Sequence, residues 1–174
     1  LLDSFCRRVA FARGIDSTLP ELGDVQIEDL LRSLCDGRRS FGELRKANLL
    51  AFVRGALNYE QGRRLEALAP EQVTLDGGRR CTVNYETRRD PWISSRLQDF
   101  FGMTTGPSIG AGSIPLVLHL LAPNKTAVSV TADLAGFWER HYPTESRRLS
   151  RRYPRHLWPD DPARANPPRP GRIR

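Results

Sequence analysis

Hydrophobic residues recur at intervals of three and four positions through the first third of the chain, the spacing that lines one face of an α-helix. The first stripe predicts a helix that ends at Gly14, ahead of a loop that contains Pro20. Its members are Leu2, Phe5, Cys6, Val9 and Ala10. The pattern therefore predicts a helical beginning for the chain.

The same spacing predicts three more helices, over residues 26–35, 40–57 and 60–68. The middle one begins with Ser40 and Glu43. Their spacing predicts a capping box, in which each side chain satisfies the other residue's free backbone N–H.

From Pro70 onward the period falls to two, which is typical of half-buried β-strands. Residues 73–75 and 81–85 alternate apolar with polar positions on either side of a glycine turn, and this predicts a hairpin. Residues 92–101 are rich in apolar side chains and are followed by Gly102, which predicts a short helix.

A second hairpin is predicted between residues 114–121 and 127–131, after a glycine-rich loop. Its first strand is apolar on both faces, which indicates a central position in a sheet. A lone histidine within this strand, His119, is interpreted as a structural residue rather than a ligand or base. Asp133 is positioned to cap a helix that carries Leu134, Phe137, Trp138 and His141 on one side.

These elements predict an α+β fold with helices first and a small β domain after them. The expected domains are a helical segment over residues 1–69 and a β-rich domain with C-terminal helices over residues 70–162. Residues 163–174 are expected to be a disordered tail, since the chain from Pro162 onward is dominated by proline and arginine and cannot bury a core.

Charge is distributed very unevenly along the chain. Residues 1–139 hold 17 basic and 17 acidic residues, whereas residues 140–174 hold ten arginines against three acidic residues, a net charge of +7. The guanidinium fork matches phosphate geometry better than the point charge of lysine does. A GC-rich genome would explain why the basic residues are arginines rather than lysines. It would not explain why they are concentrated at one end of the chain, so we expect a nucleic-acid partner.

The first part of this basic region predicts a helix over residues 144–152. At 100° per residue, its four arginines fall within a sector of about 140°, and Leu149 and Tyr153 lie opposite as an apolar anchor. The four are Arg147, Arg148, Arg151 and Arg152. This face is our first candidate for contact with RNA phosphates.

The second candidate is the basic and aromatic segment 151–159, which adds Arg155, Tyr153 and Trp158 to the candidate site. Aromatic rings beside arginines suit single-stranded nucleic acid, where each stacked base contributes about 1–3 kcal/mol. The alternative is that Tyr153, Leu157 and Trp158 pin the segment onto the domain and leave only the arginines outward. Both interpretations are compatible with the sequence.

Residues 106–110 match the G-x-S-x-G motif of α/β-hydrolases, with Asp133 and then His141 or His156 following in the order of a catalytic triad. The motif needs a turn between a buried strand and a helix, and the flanking residues predict neither. An esterase is therefore the third and weakest functional hypothesis. We expect no catalytic site in the chain itself.

Other patterns narrow the remaining classes of function. Cys6, Cys35 and Cys81 are too few and too dispersed for a disulfide framework or a zinc site, and we expect reduced thiols in the cytoplasm and no metal. No stretch is long and apolar enough to predict a membrane helix. Met103 is the only methionine, so we expect the chain to be part of a longer protein, and we expect a monomer.

Six segments have sequences typical of one family. Three lie late in the chain, at residues 114–123, 130–138 and 152–162, and the last of them ends in the specific sequence Trp-Pro-Asp-Asp-Pro. Three lie earlier, at residues 41–44, 65–70 and 97–102. Together, and in this order, they resemble the C-terminal region of bacterial HrpB-type ATP-dependent helicases, relatives of the DEAH-box RNA helicases.

The resemblance implies a non-catalytic accessory domain that contributes RNA contact and gating to a helicase motor. The motor domains, with their ATP and Mg²⁺, would lie upstream, and RNA and the helicase's own core would be the partners. In such helicases a small oligonucleotide-binding (OB) barrel follows a helical domain, so the resemblance implies an OB-like barrel here, with Arg79 and Arg80 beside its first turn. The predicted strands fit a five-stranded barrel and a small mixed sheet equally, and both alternatives stay open. The alternative function is a protein-interaction module that docks through Trp138 and Trp158.

Overall fold

The computed structural model describes residues 1–36 and 48–169. This part of the chain has the α+β character that the sequence predicts, with helices first, short strands next and helices again toward the C-terminus. It divides into two compact units, Leu1–Pro70 with Tyr85–Thr87, and Glu71–Asn84 with Arg88–Arg174. The domain boundaries drawn from the sequence stay a prediction.

The first unit contains four described helices. They are α1 (Leu2–Ile15), α2 (Asp24–Cys35), α3 (Leu49–Gly55) and α4 (Tyr59–Leu68). Helix α4 begins with a capping box formed by Asn58 and Gln61, which satisfies two backbone N–H groups that the helix leaves free.

The predicted helix over residues 40–57 needs correction in its described part. Asn48 caps the start of α3 by accepting a hydrogen bond from the Ala51 N–H, so a new helix begins at Leu49. The capping box predicted from Ser40 and Glu43, and the family-like segment 41–44, lie outside the described residues.

The buried face of α1 is rotated from the predicted stripe. Phe5, Val9 and Ala12 are buried, whereas Ala10 is exposed. Arg8 also lies on the buried face, where its guanidinium donates to the Ala69 carbonyl and contacts the Glu66 carboxylate at 2.6 Å. A buried arginine is compatible with an apolar face because these partners compensate its lost hydration.

The second unit contains three separate small sheets. The hairpin of β1 (Gln72–Thr74) and β2 (Arg80–Thr82) is the predicted one, with Val73 opposite Cys81. A second pair joins β4 (Ser108–Ile109), within the predicted glycine-rich loop, to β5 (Ile114–Pro115), at the start of the predicted strand 114–121.

The third sheet has the order β3–β6–β7, with β3 at Trp92–Arg96, β6 at Val117–Leu121 and β7 at Ala127–Thr131. Strand β6 is central, as its apolar residues predict, because it pairs with β7 on one side and with β3 on the other. The β3–β6 pair is parallel and the β6–β7 pair is antiparallel.

One prediction for this region was wrong, and of the two expected architectures, a small barrel or a sheet, the described strands form sheets. Residues 92–101 form strand β3 and a 3₁₀ turn (Leu97–Phe100) rather than an α-helix, because the second edge of β6 needs a strand partner. A barrel requires one continuous ring of paired strands. The described strands form three sheets, with an antiparallel bridge between Asn84, just after β2, and Trp92 in β3, and these strands do not close into a barrel.

Two helices follow the sheets, α5 (Leu134–Arg140) and α6 (Tyr142–Arg152). The predicted Asp133 cap is confirmed, since its carboxylate accepts from the Gly136 N–H at 2.8 Å. The backbone hydrogen bond and the neighbouring Arg140 lower the pKa of this carboxyl. Aromatic side chains from α5 and α6 meet Phe101 in the core of the unit.

The segment after α6 returns across the unit as far as the described residues extend. Pro162–Arg164 form a 3₁₀ turn, and the Gly102 N–H donates to the Pro162 carbonyl at 2.9 Å. Further on, the Pro167 ring lies against Gly77, so close that a Cβ there would stand 2.5 Å from it. These contacts differ from the disorder expected beyond Pro162, and the last residues, 170–174, lie outside the described part.

Candidate nucleic-acid interface

Helix α6 carries the densest group of arginines in the described chain. Pro143 stands in its first turn together with Glu145, and Arg151 and Arg152 close its last turn. Proline fits the first turn because a backbone N–H at that position would have no partner within the helix. The acidic residue near the N-terminus and the arginines near the C-terminus both interact favourably with the helix dipole. The sequence therefore favours a helix in this short polar segment.

Of the predicted apolar anchor of α6, Leu149 is buried and Tyr153 is half-buried, and Tyr142, which the prediction did not include, is also buried. The Tyr142 hydroxyl donates to the Pro159 carbonyl at 2.9 Å and so holds the returning segment. Burial raises the pKa of this hydroxyl to about 12, with a smaller contribution from the Asp160 carboxylate. Tyr142 therefore remains a neutral donor at physiological pH.

The four arginines of the predicted face are exposed, as the helical spacing requires. They are not equivalent in charge, because Arg148 is paired with the Glu145 carboxylate through its Nε atom at 2.9 Å. For Arg147 and Arg151, no carboxylate partner is found within residues 1–36 and 48–169. Arg152 lies over the Tyr153 ring at 5.7 Å.

The basic and aromatic segment after α6 folds back on itself. The Trp158 indole N–H donates to the Tyr153 carbonyl at 3.0 Å, and Tyr153 meets His156 edge-on. Tyr153 and Trp158 are half-buried, whereas Leu157 is 62% exposed and does not pin the segment to the domain. Arg155 is exposed within this turn, so its guanidinium is accessible.

The Trp138 surface proposed for protein docking is not available. Trp138 is 6% exposed, its indole N–H donates to the Met103 carbonyl at 2.8 Å, and its ring packs against Tyr142. It also lines a cleft with three acidic side chains and one basic side chain, Arg164, so the net negative charge of the cleft disfavours phosphate groups. The acidic residues are Glu139, Asp160 and Asp161.

The structure does not support a hydrolase at Ser108. This serine lies in the short edge strand β4 opposite Pro115, not on a strand-to-helix turn. Asp133, the acid of the supposed triad, is occupied by Gly136 and Arg140. The motif match is therefore a coincidence of glycine and serine in a loop.

The sequence analysis did not predict two polar clusters. In the first, Arg8 on the buried face of α1 donates to the Ala69 carbonyl. In the second, the Ser95 hydroxyl donates to the Asp99 carboxylate, which lies 3.8 Å from Arg79. The first cluster joins residues that are far apart in the chain. In the second, Ser95 and Asp99 lie within residues 92–101, which were predicted to be a helix. Residue spacing therefore could not predict either cluster. Both have structural partners and offer nothing to a ligand.

The described residues place limits on metals and membranes. Within residues 1–36 and 48–169, no three His, Cys, Asp or Glu side chains are grouped to hold a metal ion. The same residues include no helix with the length and apolarity needed to span a bilayer. Burial raises the pKa of the Cys81 thiol, which reduces its reactivity.

Comparison with known proteins extends these observations. Residues 30–162 match the family model described as the C-terminal region of ATP-dependent helicases, HrpB_C. The chain is 35% identical over 133 residues to the ATP-dependent RNA helicase HrpB of Escherichia coli K12, covering 76% of this chain and 16% of that protein.

Two solved structures are similar to the chain. A crystal structure of the E. coli DExH-box NTPase HrpB matches 97% of this chain and 22% of that one, with a TM-score of 0.86 and 30% identity. A crystal structure of the Escherichia coli DEAH/RHA helicase HrpB matches 90% of this chain and 20% of that one, with a TM-score of 0.70 and 28% identity. The chain thus spans about a fifth of the length of these relatives.

Proposed function

Because the chain belongs to the HrpB_C family of ATP-dependent helicase C-terminal regions, we propose that it is a non-catalytic accessory domain that binds RNA for a helicase motor. ATP and Mg²⁺ would bind to the motor, outside this chain. The domain would hold single-stranded RNA and gate its passage through the motor.

The exposed arginine face of α6 carries this proposal. Arg147, Arg151 and Arg152 project from a helix whose opposite side is fixed by Leu149 and Tyr142. The anchored helix presents the three side chains from one defined face, and each guanidinium can donate two parallel hydrogen bonds to a phosphate. Arg155 extends the positive surface beyond the helix.

Titration of the chain with a fluorescently labelled single-stranded RNA, followed by fluorescence polarisation, tests the proposal. Binding should weaken as salt rises, with a log–log slope of about −2 if three phosphates are neutralised. Changing Arg147, Arg151 and Arg152 together to glutamate should abolish binding. The single variants Arg151→Glu and Arg63→Glu provide a matched pair, since both residues are exposed on helices and both changes alter net charge equally.

Arg151→Glu should weaken binding about tenfold through lost and reversed phosphate contact, and Arg63→Glu should change it far less. Equal effects of the two variants would show that only net charge matters. No binding by the wild-type chain at low salt would refute the proposed RNA contact.

The competing function is docking to a protein partner through Trp158. The half-buried Trp158 ring and the exposed Leu157 favour it, since apolar side chains at a surface suit a protein interface. Trp158→Ala separates the two functions in the same titration. Loss of a helicase-core pull-down with RNA binding intact would favour docking over RNA contact.

A further inference from the structure

The β3–β6–β7 sheet has one face on the core and a second face that is partly exposed to solvent, here called the open face. Ile93, Leu118 and Leu120 point to the core and are fully buried. On the other face, Trp92 and His119 are half-buried and Val130 is 57% exposed. The open face therefore presents rings and aliphatic side chains to solvent.

The two rings on this face form a parallel stack. Their centroids are 4.2 Å apart and their planes differ by 10°. The parallel register places Trp92 opposite Val117 and Ser94 opposite His119, so the rings are diagonal neighbours on adjacent strands. The strands thus fix both rings, and little side-chain freedom is left to lose when a third flat group joins them.

The charge of the face suits an anionic ligand. The three strands contain no acidic residue, and Arg96 lies on the same side as Trp92 and Ser94. A nucleotide combines a flat base, which extends a stack of rings, with a phosphate that a guanidinium attracts. Sheet faces with exposed aromatic rings bind single-stranded RNA by this combination.

We propose that Trp92 and His119 form a base-stacking platform for single-stranded RNA. The inference rests on the proposed RNA contact and adds a second contact to it, since α6 holds the backbone and the sheet face holds a base. Base identity would matter little at this platform, because every base has a flat π-face. The platform does not depend on Tyr153 or Trp158.

The test compares two probes of equal charge on the whole chain, an oligoadenylate and an abasic oligomer with the same ribose-phosphate backbone. The wild-type chain should bind the oligoadenylate about tenfold more tightly, because only this probe can stack. Trp92→Leu and His119→Ala should each remove most of that difference, whereas Trp92→Phe should retain it. Tyr59→Leu is the control, since Tyr59 is an aromatic residue that is 83% exposed on α4.

The outcomes separate the platform from the α6 contact. Equal affinity of the wild-type chain for both probes would overturn the platform and leave the arginine contact standing. Failure of both probes to bind would overturn both. Circular dichroism melting shows whether Trp92→Leu still folds, and if it does not, the wild-type comparison and His119→Ala decide the matter.

Discussion

Tyr142 joins the arginine helix to the segment that follows it. Its ring packs edge-on against Phe101 and Trp138, and its hydroxyl donates to the Pro159 carbonyl. A buried phenol that lost this acceptor, or that became charged, would destabilise the anchor on which the exposed arginines depend.

The raised pKa of Tyr142 predicts how stability changes in alkaline solution. The phenol ionises near pH 10 in an unfolded chain and near pH 12 here, so its contribution is complete below pH 10 and disappears as pH rises through 12. Over that window the wild-type chain should lose about 2 kcal/mol more unfolding free energy than Tyr142→Phe does. Urea denaturation of both proteins at several pH values measures the difference.

Burial also raises the pKa of Tyr85, and this residue is present in both the wild-type chain and Tyr142→Phe. Its contribution therefore cancels in the comparison. Identical pH dependence in the two proteins would show that Tyr142 ionises as readily in the folded state as in the unfolded chain.

At the scale of elements, periodicity predicted the helices and hairpins whose contacts are local. The helices α1, α2 and α4 and the hairpin of β1 and β2 correspond to the predicted elements, with differences of a few residues at their ends. Strand β3 was missed because Ile93 and Leu97 also fit a helical spacing. Its partner, β6, is remote in the sequence, and no local pattern announces a parallel pair.

The candidate site divides in the same way. The arginine face of α6 follows from spacing alone, and the exposure of its four arginines agrees with that prediction. The Trp92–His119 stack could not be predicted, because assigning residues 92–101 to a helix separates Trp92 from any strand neighbour. His119 was interpreted as structural for want of a visible partner.

The contact between Gly77 and Pro167 makes a prediction for the returning segment. Gly77→Ala would place a Cβ 2.5 Å from the proline ring, so we expect Pro167 and the segment that carries it to move away. Hydrogen exchange followed by mass spectrometry should show faster exchange across residues 160–169. Gly62→Ala is the matched control, since an added Cβ there meets no atom within 4 Å.

Unchanged exchange over residues 160–169 in Gly77→Ala would mean that Pro167 contributes nothing to the position of this segment. A change spread over the whole chain would instead indicate damage to the hairpin.

At the scale of the whole molecule, the segregated charge is the main feature. Its excess of seven positive charges arises entirely within residues 140–174. That region includes α6 and also the arginines at the end of the chain. We expect the two groups to contribute separately to RNA binding. Their effects on RNA binding can be separated by truncation.

Ending the chain after Pro168 removes Arg169, Arg172 and Arg174 and preserves the contact of Pro167. If these arginines only attract the RNA backbone, the salt slope should become shallower by up to about 2. The preference for oligoadenylate over the abasic probe should not change. Polarisation titrations at several salt concentrations measure both quantities, and a lost preference would mean that the end of the chain takes part in stacking.

The parallel pairing of β3 with β6 also orders events in time. Strand β3 cannot complete its hydrogen bonds until β6 has been synthesised, and all of β4 and β5 lies between them. The chain must close this long loop, at a cost in entropy, before any contact between the two strands stabilises it. The pair therefore forms more slowly than a local hairpin. During translation, Ile93 and its apolar neighbours therefore have no β6 to pair with at first. The β3–β6 pair can form only after the chain has left the ribosome as far as Leu121.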